Sequence, residues 1–293
     1  MSATAPTESA LELPCYVAGE PVLGNSKLEV HYPYTGEVSG VVPMLGRAEL
    51  DASIDAALNY KTKLTRYQRY EILERARTLL SERAEEFAHL IRSEAGLCMR
   101  ETHYEVGRAQ DVLQFAAMES LKDDGQIFSC DVSPQGKARK IFTIREPLNL
   151  AAAITPFNHP LNQVAHKLAP AIAAGVPVVL KPSNKTPLTA IRFAELLYEA
   201  GLPGPMLSVL LGSVEDLIEP MVADERVDLV TFTGSTHVGK QLPKVAGYKK
   251  LCLELGGNAP LIVLDDAKMD LAVTLAAEGC FRNSGQRCTA VKR

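Results

Sequence analysis

From Leu148 onward the chain alternates short apolar runs with longer amphipathic ones, and this alternation restricts the fold more than any other feature. The spacing predicts strands at 150–155, 176–181, 207–211, 228–233 and 250–255, separated by helices at 161–174, 187–200, 214–222 and 236–245. Strand–helix repeats of this length favour an α/β architecture: a doubly wound, Rossmann-like parallel sheet with helices on both faces. Such sheets bind ligands outside the carboxyl ends of their strands. The segments that carry chemistry all fall at such ends.

Upstream, residues 1–45 are rich in Pro and Gly, with an extended piece at 28–31. Helices are expected at 48–63, 67–95 and 101–121. The second repeats Ile72, Leu73, Ala76, Leu79, Leu80, Phe87, Leu90 and Ile91 at a period near 3.6, and the third places Val106, Val112, Phe115 and Ala116 in the same way. Between 126 and 145 the period falls to about two, which predicts a protruding hairpin turning at Ser133-Pro134-Gln135-Gly136.

Of the 293 residues, 46% are hydrophobic and 23% charged, enough to bury a substantial core. The net charge of −4 argues against nucleic acid or an anionic membrane as a partner. The longest apolar stretch, 168–180, is broken by Pro170, Gly175 and Pro177, and residues 1–13 carry Glu8 and Glu12 rather than a basic apolar leader. Cys15, Cys98, Cys130, Cys252, Cys280 and Cys288 have no paired spacing, so no metal site is expected. A reducing, cytoplasmic setting with mostly structural thiols follows.

Five segments stand out. In Phe232-Thr233-Gly234-Ser235-Thr236-His237-Val238-Gly239 a strand turns into a helix, and Gly234 and Gly239 could let backbone approach a pyrophosphate. The bland alternative is a helix start capped by Ser235. Lys181-Pro182-Ser183-Asn184 ends a strand with a lysine able to hold a ribose or phosphate, or merely to snorkel at the surface. In Thr155-Pro156-Phe157-Asn158-His159-Pro160, Asn158 either aims an N–H at an oxyanion or is a turn residue. Glu254-Leu255-Gly256-Gly257 offers a partly desolvated carboxylate suited to activating water, against the alternative of a solvated strand-end Glu. In Asn283-Ser284-Gly285-Gln286-Arg287-Cys288-Thr289-Ala290, Arg287 would favour the Cys288 thiolate, whereas Cys280 reads as a core residue.

In this order, PFNHP, LKPSNKTPL, FTGSTHVG, LELGG and GQRCTA resemble the aldehyde dehydrogenase superfamily from about Tyr16 to Arg293. The resemblance implies that Cys288 is the nucleophile, that the Asn158 side chain and the Cys288 N–H form an oxyanion hole, and that Glu254 activates the hydrolytic water. It implies NAD as cofactor, with NADP possible, at Thr155, Pro156, Lys181, Ser183, Asn184, Gly212, Phe232, Gly234, Ser235, Gly239, Leu255 and Gly256. Asn184 stands where NAD-preferring members often carry a Glu, which leaves the choice open. FNHPLNQVAHKLAPAIA and GQRCTAVKR look most like the phosphonoacetaldehyde dehydrogenase branch, in which Arg108, His159 and Arg287 would grip the anionic substrate. Non-phosphorylating glyceraldehyde-3-phosphate and lactaldehyde dehydrogenases are the alternatives. Arg108 and His159 also read as a solvated helix residue and a turn residue.

The resemblance further implies an NAD(P)-binding domain over 1–257, an oligomerisation hairpin near 126–145, and only the start of a catalytic domain over 258–293. The chain is then expected to be a fragment or an incomplete gene product whose full-length form is a homodimer or homotetramer; the alternative is an inactive remnant that only binds cofactor or partner subunits. Leu261–Leu264 and Leu271, Val273, Leu275 and Ala276 should present uncovered apolar faces.

Overall fold

A computed structural model of the chain describes residues 10–24, 26–122, 125–136 and 139–293. The N-terminal portion supplies β1 (Leu11–Glu12), β2 (Cys15–Val17), β3 (Glu20–Val22), β4 (Ser26–His31) and β5 (Val38–Met44). β5 pairs antiparallel with β4 and parallel with β1, while β2 and β3 join the main sheet.

Helices α1 (Arg47–Asn59), α2 (Arg66–Glu82), α3 (Ala84–Ala95) and α4 (Met99–Ser120) follow. Thr65 and Gln68 cap α2 reciprocally, each side chain bonding the other's backbone N–H. The helix expected over 67–95 is two helices, broken at Arg83, whose backbone leaves helical geometry at φ −106°, ψ 22°. Both pieces bury one apolar stripe, so periodicity runs through the break and cannot locate it. The hairpin forms at 126–145, but its ladder is only β6 (Ile127–Phe128) against β7 (Ile141–Phe142), with Gly136 N–H closing the turn onto Ser133 O at 3.0 Å. Residues 137 and 138 of that segment lie outside the described residues.

The remainder is the expected alternation: β8 (Ala151–Ile154), α5 (Asn162–Ala174), β9 (Val178–Lys181), α6 (Leu188–Glu199), β10 (Leu207–Val209), α7 (Glu219–Ala223), β11 (Leu229–Thr233), α8 (Thr236–Gly239), α9 (Leu242–Ala246) and β12 (Lys250–Glu254). The sheet order is β12-β11-β8-β9-β10-β2-β3, with the first five strands parallel. Two expected helices are interrupted. Val214–Ile218 is a π-turn leading into α7, and 236–245 splits into α8 and α9. Pro220 and Pro243 explain both, because each lacks an N–H and sits at the start of a new helix, where none is needed.

The ladder aligns the strand ends. Ile154 pairs with Lys181 on one side and with Phe232 on the other, and Thr233 pairs with Glu254. Strand order reverses at β8, so the crevice between the ends of β8 and β11 is the switch point where such sheets take ligands.

Residues 258–293 contribute α10 (Met269–Phe281) and a single parallel bridge, Ala259 to Val291. No residue of α10 is buried, and Ile262, Val263, Leu264, Leu271, Val273 and Leu275 are exposed, as the sequence suggested. Among the described residues no helix is long and apolar enough to cross a membrane.

Candidate active site

Lys181, the last residue of β9, is 7% exposed and does not snorkel. Its Nζ donates to Asn184 Oδ1 at 2.6 Å, and Asn184 Nδ2 donates to Gly212 O at 3.2 Å, so three expected cofactor residues form one chain across two strand ends. Burial pulls the Lys181 pKa down to about 8, and no described carboxylate pairs with it. Thr155 N–H reaches Lys181 O at 3.3 Å from the neighbouring strand, and Ser183 Oγ accepts from Lys185 N–H at 3.2 Å.

The glycine-rich turn is built for internal packing. Ser235 caps α8 by accepting from Val238 N–H at 3.2 Å, which is the bland reading realised. A Cβ on Gly239 would meet Leu255 Cδ2 at 2.2 Å, and one on Gly234 would meet the Phe232 ring at 2.5 Å. The space in which a side chain would sit at each of these glycines is thus filled by a neighbouring side chain. Gly234 N–H bonds Glu254 O at 3.0 Å, tying the turn to β12. A Cβ on Gly256 would come within 3.1 Å of Thr236 Oγ1.

Asn158 and the cysteine segment meet directly. Asn158 Nδ2 donates to Gln286 O at 2.6 Å, and Asn283 Nδ2 donates to Asn158 O at 3.0 Å. The carbonyl acceptor fixes the orientation of the Asn158 amide, leaves one N–H of Nδ2 uncommitted, and leaves its buried Oδ1 without a partner. Gly257, three residues beyond Glu254, lies so close to the Cys288 carbonyl that a Cβ there would sit 2.2 Å from that oxygen. The segments bearing Asn158, Glu254 and Cys288 are therefore brought together from three parts of the chain.

Two expectations about exposure fail. Glu254 lies exposed rather than partly desolvated, because β12 is the outermost strand of the sheet. Cys280 is half-buried on α10 rather than in a core, and Cys98, Cys252 and Cys288 are all exposed, so only Cys15 and the half-buried Cys130 and Cys280 are sheltered. Placement, not accessibility, distinguishes Cys288.

Of the expected anion-binding residues, His159 is the most constrained. Its Nδ1 lies 3.1 Å from Glu105 Oε2, and Glu105 Oε1 accepts from the N–H groups of Leu161 and Asn162 at 2.9 and 3.0 Å. Glu105, on α4, thus caps α5 and orients His159 together. Arg108 pairs with Asp111 one turn along α4 at 3.1 Å. Arg108, Lys167 and Glu254 all act on the His166 imidazole, whose pKa is lowered by burial first and then by the two cations, with Glu254 opposing. The Arg287 carbonyl accepts from Ala290 N–H at 3.2 Å, and its guanidinium makes no described hydrogen bond or ion pair.

Sequence reasoning missed Glu105, Asn283 and Lys167. Lys167 is buried on α5, donates to Thr231 Oγ1 at 2.9 Å, and has its pKa brought down to about 8 by desolvation against the pull of Cys252 and Glu254. A lysine on the apolar stripe of a helix expected to be buried was the available signal. A cavity of about 520 Å³ lies beside the Asn184 turn, lined in part by Phe157, Asn184, Thr186, Glu94 and Gln286.

A doubly wound parallel sheet with the Asn158 turn clasped to the Cys288 segment near its switch point places the chain in the Rossmann-like α/β class. Within that class the chain belongs to the aldehyde dehydrogenase family, whose model matches residues 22–293. It is 39% identical to 3-sulfolactaldehyde dehydrogenase of Priestia aryabhattai over 95% of this chain and 58% of that protein. It is 35% identical to NADP-dependent glyceraldehyde-3-phosphate dehydrogenase of Streptococcus equinus over 95% of this chain and 59% of that one. The crystal structure of betaine aldehyde dehydrogenase from Staphylococcus aureus in complex with NAD+ superposes with a TM-score of 0.90 at 31% identity, covering 96% of this chain and 56% of that one. The chain therefore spans somewhat under three-fifths of the length of these relatives.

Proposed function

We propose that the chain is the cofactor-binding part of an NAD(P)-dependent dehydrogenase for a small anionic aldehyde, with phosphonoacetaldehyde as the preferred substrate. The observation that carries this reading is the direct contact between the Asn158 loop and the Cys288 segment. Lys181 supports the cofactor. A buried cation whose only side-chain partner among the described residues is neutral has capacity for a ribose hydroxyl or a phosphate, and Asn184 beside it adds no charge to repel a 2′-phosphate.

In this reading the Cys288 sulfur adds to the aldehyde carbon, and the uncommitted Asn158 N–H and the Cys288 backbone N–H receive the resulting oxyanion. Bound NAD(P)+ supplies the acceptor for the hydride that leaves that carbon, so a thioester remains on Cys288. Glu254 takes a proton from the water that attacks the thioester, the C–S bond breaks, and the acid departs.

The anionic substrate is supported by three cationic or protonatable groups, Arg108, His159 and Arg287, and by relatives named for a sulfonated and a phosphorylated aldehyde. The test is purified 293-residue protein with NAD and with NADP, offered phosphonoacetaldehyde, glyceraldehyde 3-phosphate and lactaldehyde side by side. Reduced cofactor should form fastest with phosphonoacetaldehyde, with kcat/KM at least about tenfold above that for neutral lactaldehyde, and should vanish in Cys288→Ala. A win for lactaldehyde would remove the anionic reading. A second reading, a species that binds cofactor without turnover, is favoured by the exposure of both Glu254 and Cys288. No reduced cofactor with any aldehyde, together with saturable NAD binding, would establish it.

A further inference from the structure

The Asn158 loop is gripped on both sides. Glu105 holds it from below, through the first N–H groups of α5 and through His159. On the other side, the hydrogen bonds described between this loop and the cysteine segment are Asn158 Nδ2 to Gln286 O and Asn283 Nδ2 to Asn158 O. Together they make a reciprocal clasp in which each loop gives one amide and one backbone carbonyl.

Asn283 is unusual on three counts. It is 2% exposed although its segment is otherwise largely open. Its φ is +55°, and Ser284 at +54° and Gly285 at +69° continue the left-handed path. Asn is the side-chain-bearing residue that tolerates this conformation best, by virtue of its short polar amide. Its carbonyl also accepts Gln286 N–H at 3.0 Å, which closes the turn that presents Gln286 O to Asn158. One residue thus sets the backbone shape of the turn and supplies the bond that docks it.

We propose that Asn283 is a positioning residue: its side-chain amide holds the Cys288 segment in register with Asn158, so that the amide and the sulfur can address one carbonyl group. The inference rests on the dehydrogenase reading for its chemical purpose, but its physical content, coupling between two loops, does not depend on turnover.

Two substitutions separate shape from bond. Asn283→Gly keeps access to the left-handed conformation and loses the amide; Asn283→Asp keeps the size and loses the donor. Peptide-resolved hydrogen exchange on the 293-residue protein should show about tenfold faster exchange in both 155–162 and 283–290 for each variant, with 176–181 unchanged. Faster exchange confined to 283–290, with 155–162 at its wild-type rate, means that Asn283 shapes only its own turn and overturns the proposal. If Asn283→Asp does not fold, Asn283→Gly decides the matter alone. Where the wild-type chain turns over aldehyde, each variant should lower kcat about tenfold and leave KM within about twofold, since substrate binding is not what the clasp supplies. A change in KM alone also overturns the proposal. Absence of turnover in the wild type counts against the dehydrogenase reading, and the exchange result still decides the role of Asn283.

Discussion

β9 and β12 belong to the same sheet and read alike in sequence, yet they live in different surroundings. Every residue of β9, which lies between β8 and β10 with α1 packed on it, is buried, whereas the residues of β12 alternate between half-buried and exposed. The same division separates α6, eight of whose twelve residues are buried, from α10, which buries none. Hydrophobic periodicity records what an element could bury, and cover has to come from another part of the fold. The lysine end of the site therefore sits on a finished core, while the thiol end rests on a few polar clasps at its margin.

Substitutions that remove the same kind of side chain from the two regions should expose this asymmetry. Phe193 is fully buried on α6, so Phe193→Ala should cost about 3–5 kcal/mol in urea unfolding. A loss below about 1 kcal/mol would mean that the α6 face is not the closed core described.

A comparable effect, spread over pH, comes from burying an ionisable group in the finished half. Glu94, on α3, accepts the N–H groups of Leu188 and Thr189 at 2.7 and 3.0 Å and so caps α6, but burial pushes its pKa to about 8, outweighing those bonds. The folded chain then holds a proton that the unfolded chain releases near pH 4.5, so stability falls as pH rises from about 5 to 8. Glu94→Gln should flatten that fall in the urea midpoint. An unchanged slope would show that Glu94 is already ionised across this range.

The smallest effect is expected at the margin. Leu271→Ala, on α10, should move stability by no more than about 0.5 kcal/mol, because its side chain is already 54% exposed. A loss comparable to that of Phe193→Ala would mean that α10 is covered in solution and would erase the contrast between the two regions.

The strands and helices of the doubly wound region were legible because each carries its own period. The breaks at Pro220 and Pro243 were legible in principle, since a proline inside an expected helix marks a new start, and the stronger apolar pattern masked them. The break at Arg83 was not, because the stripe continues across it. Asn158, Glu254, Cys288 and Lys181 could be singled out because the strand ends converge and each is a chemically distinctive residue in a turn. Glu105 and Asn283 could not: a glutamate mid-helix and an asparagine before Ser-Gly look solvated until their partners, 54 to 57 and 125 residues away in sequence, are known. The reach of Asn184 across to Gly212 has the same character.

The missing side chain of Gly257 carries a mechanical consequence. Among the described hydrogen bonds none joins Gly257 to the Cys288 carbonyl; the two backbones simply touch, so crowding at one carbon atom limits how near the two segments can come. Any bulkier residue there would act as a wedge between the walls of the cleft, widening it in step with its volume. In the proposed reaction, the gap across which water would be delivered is in this way an adjustable dimension of the molecule, governed by a residue that takes no part in the chemistry.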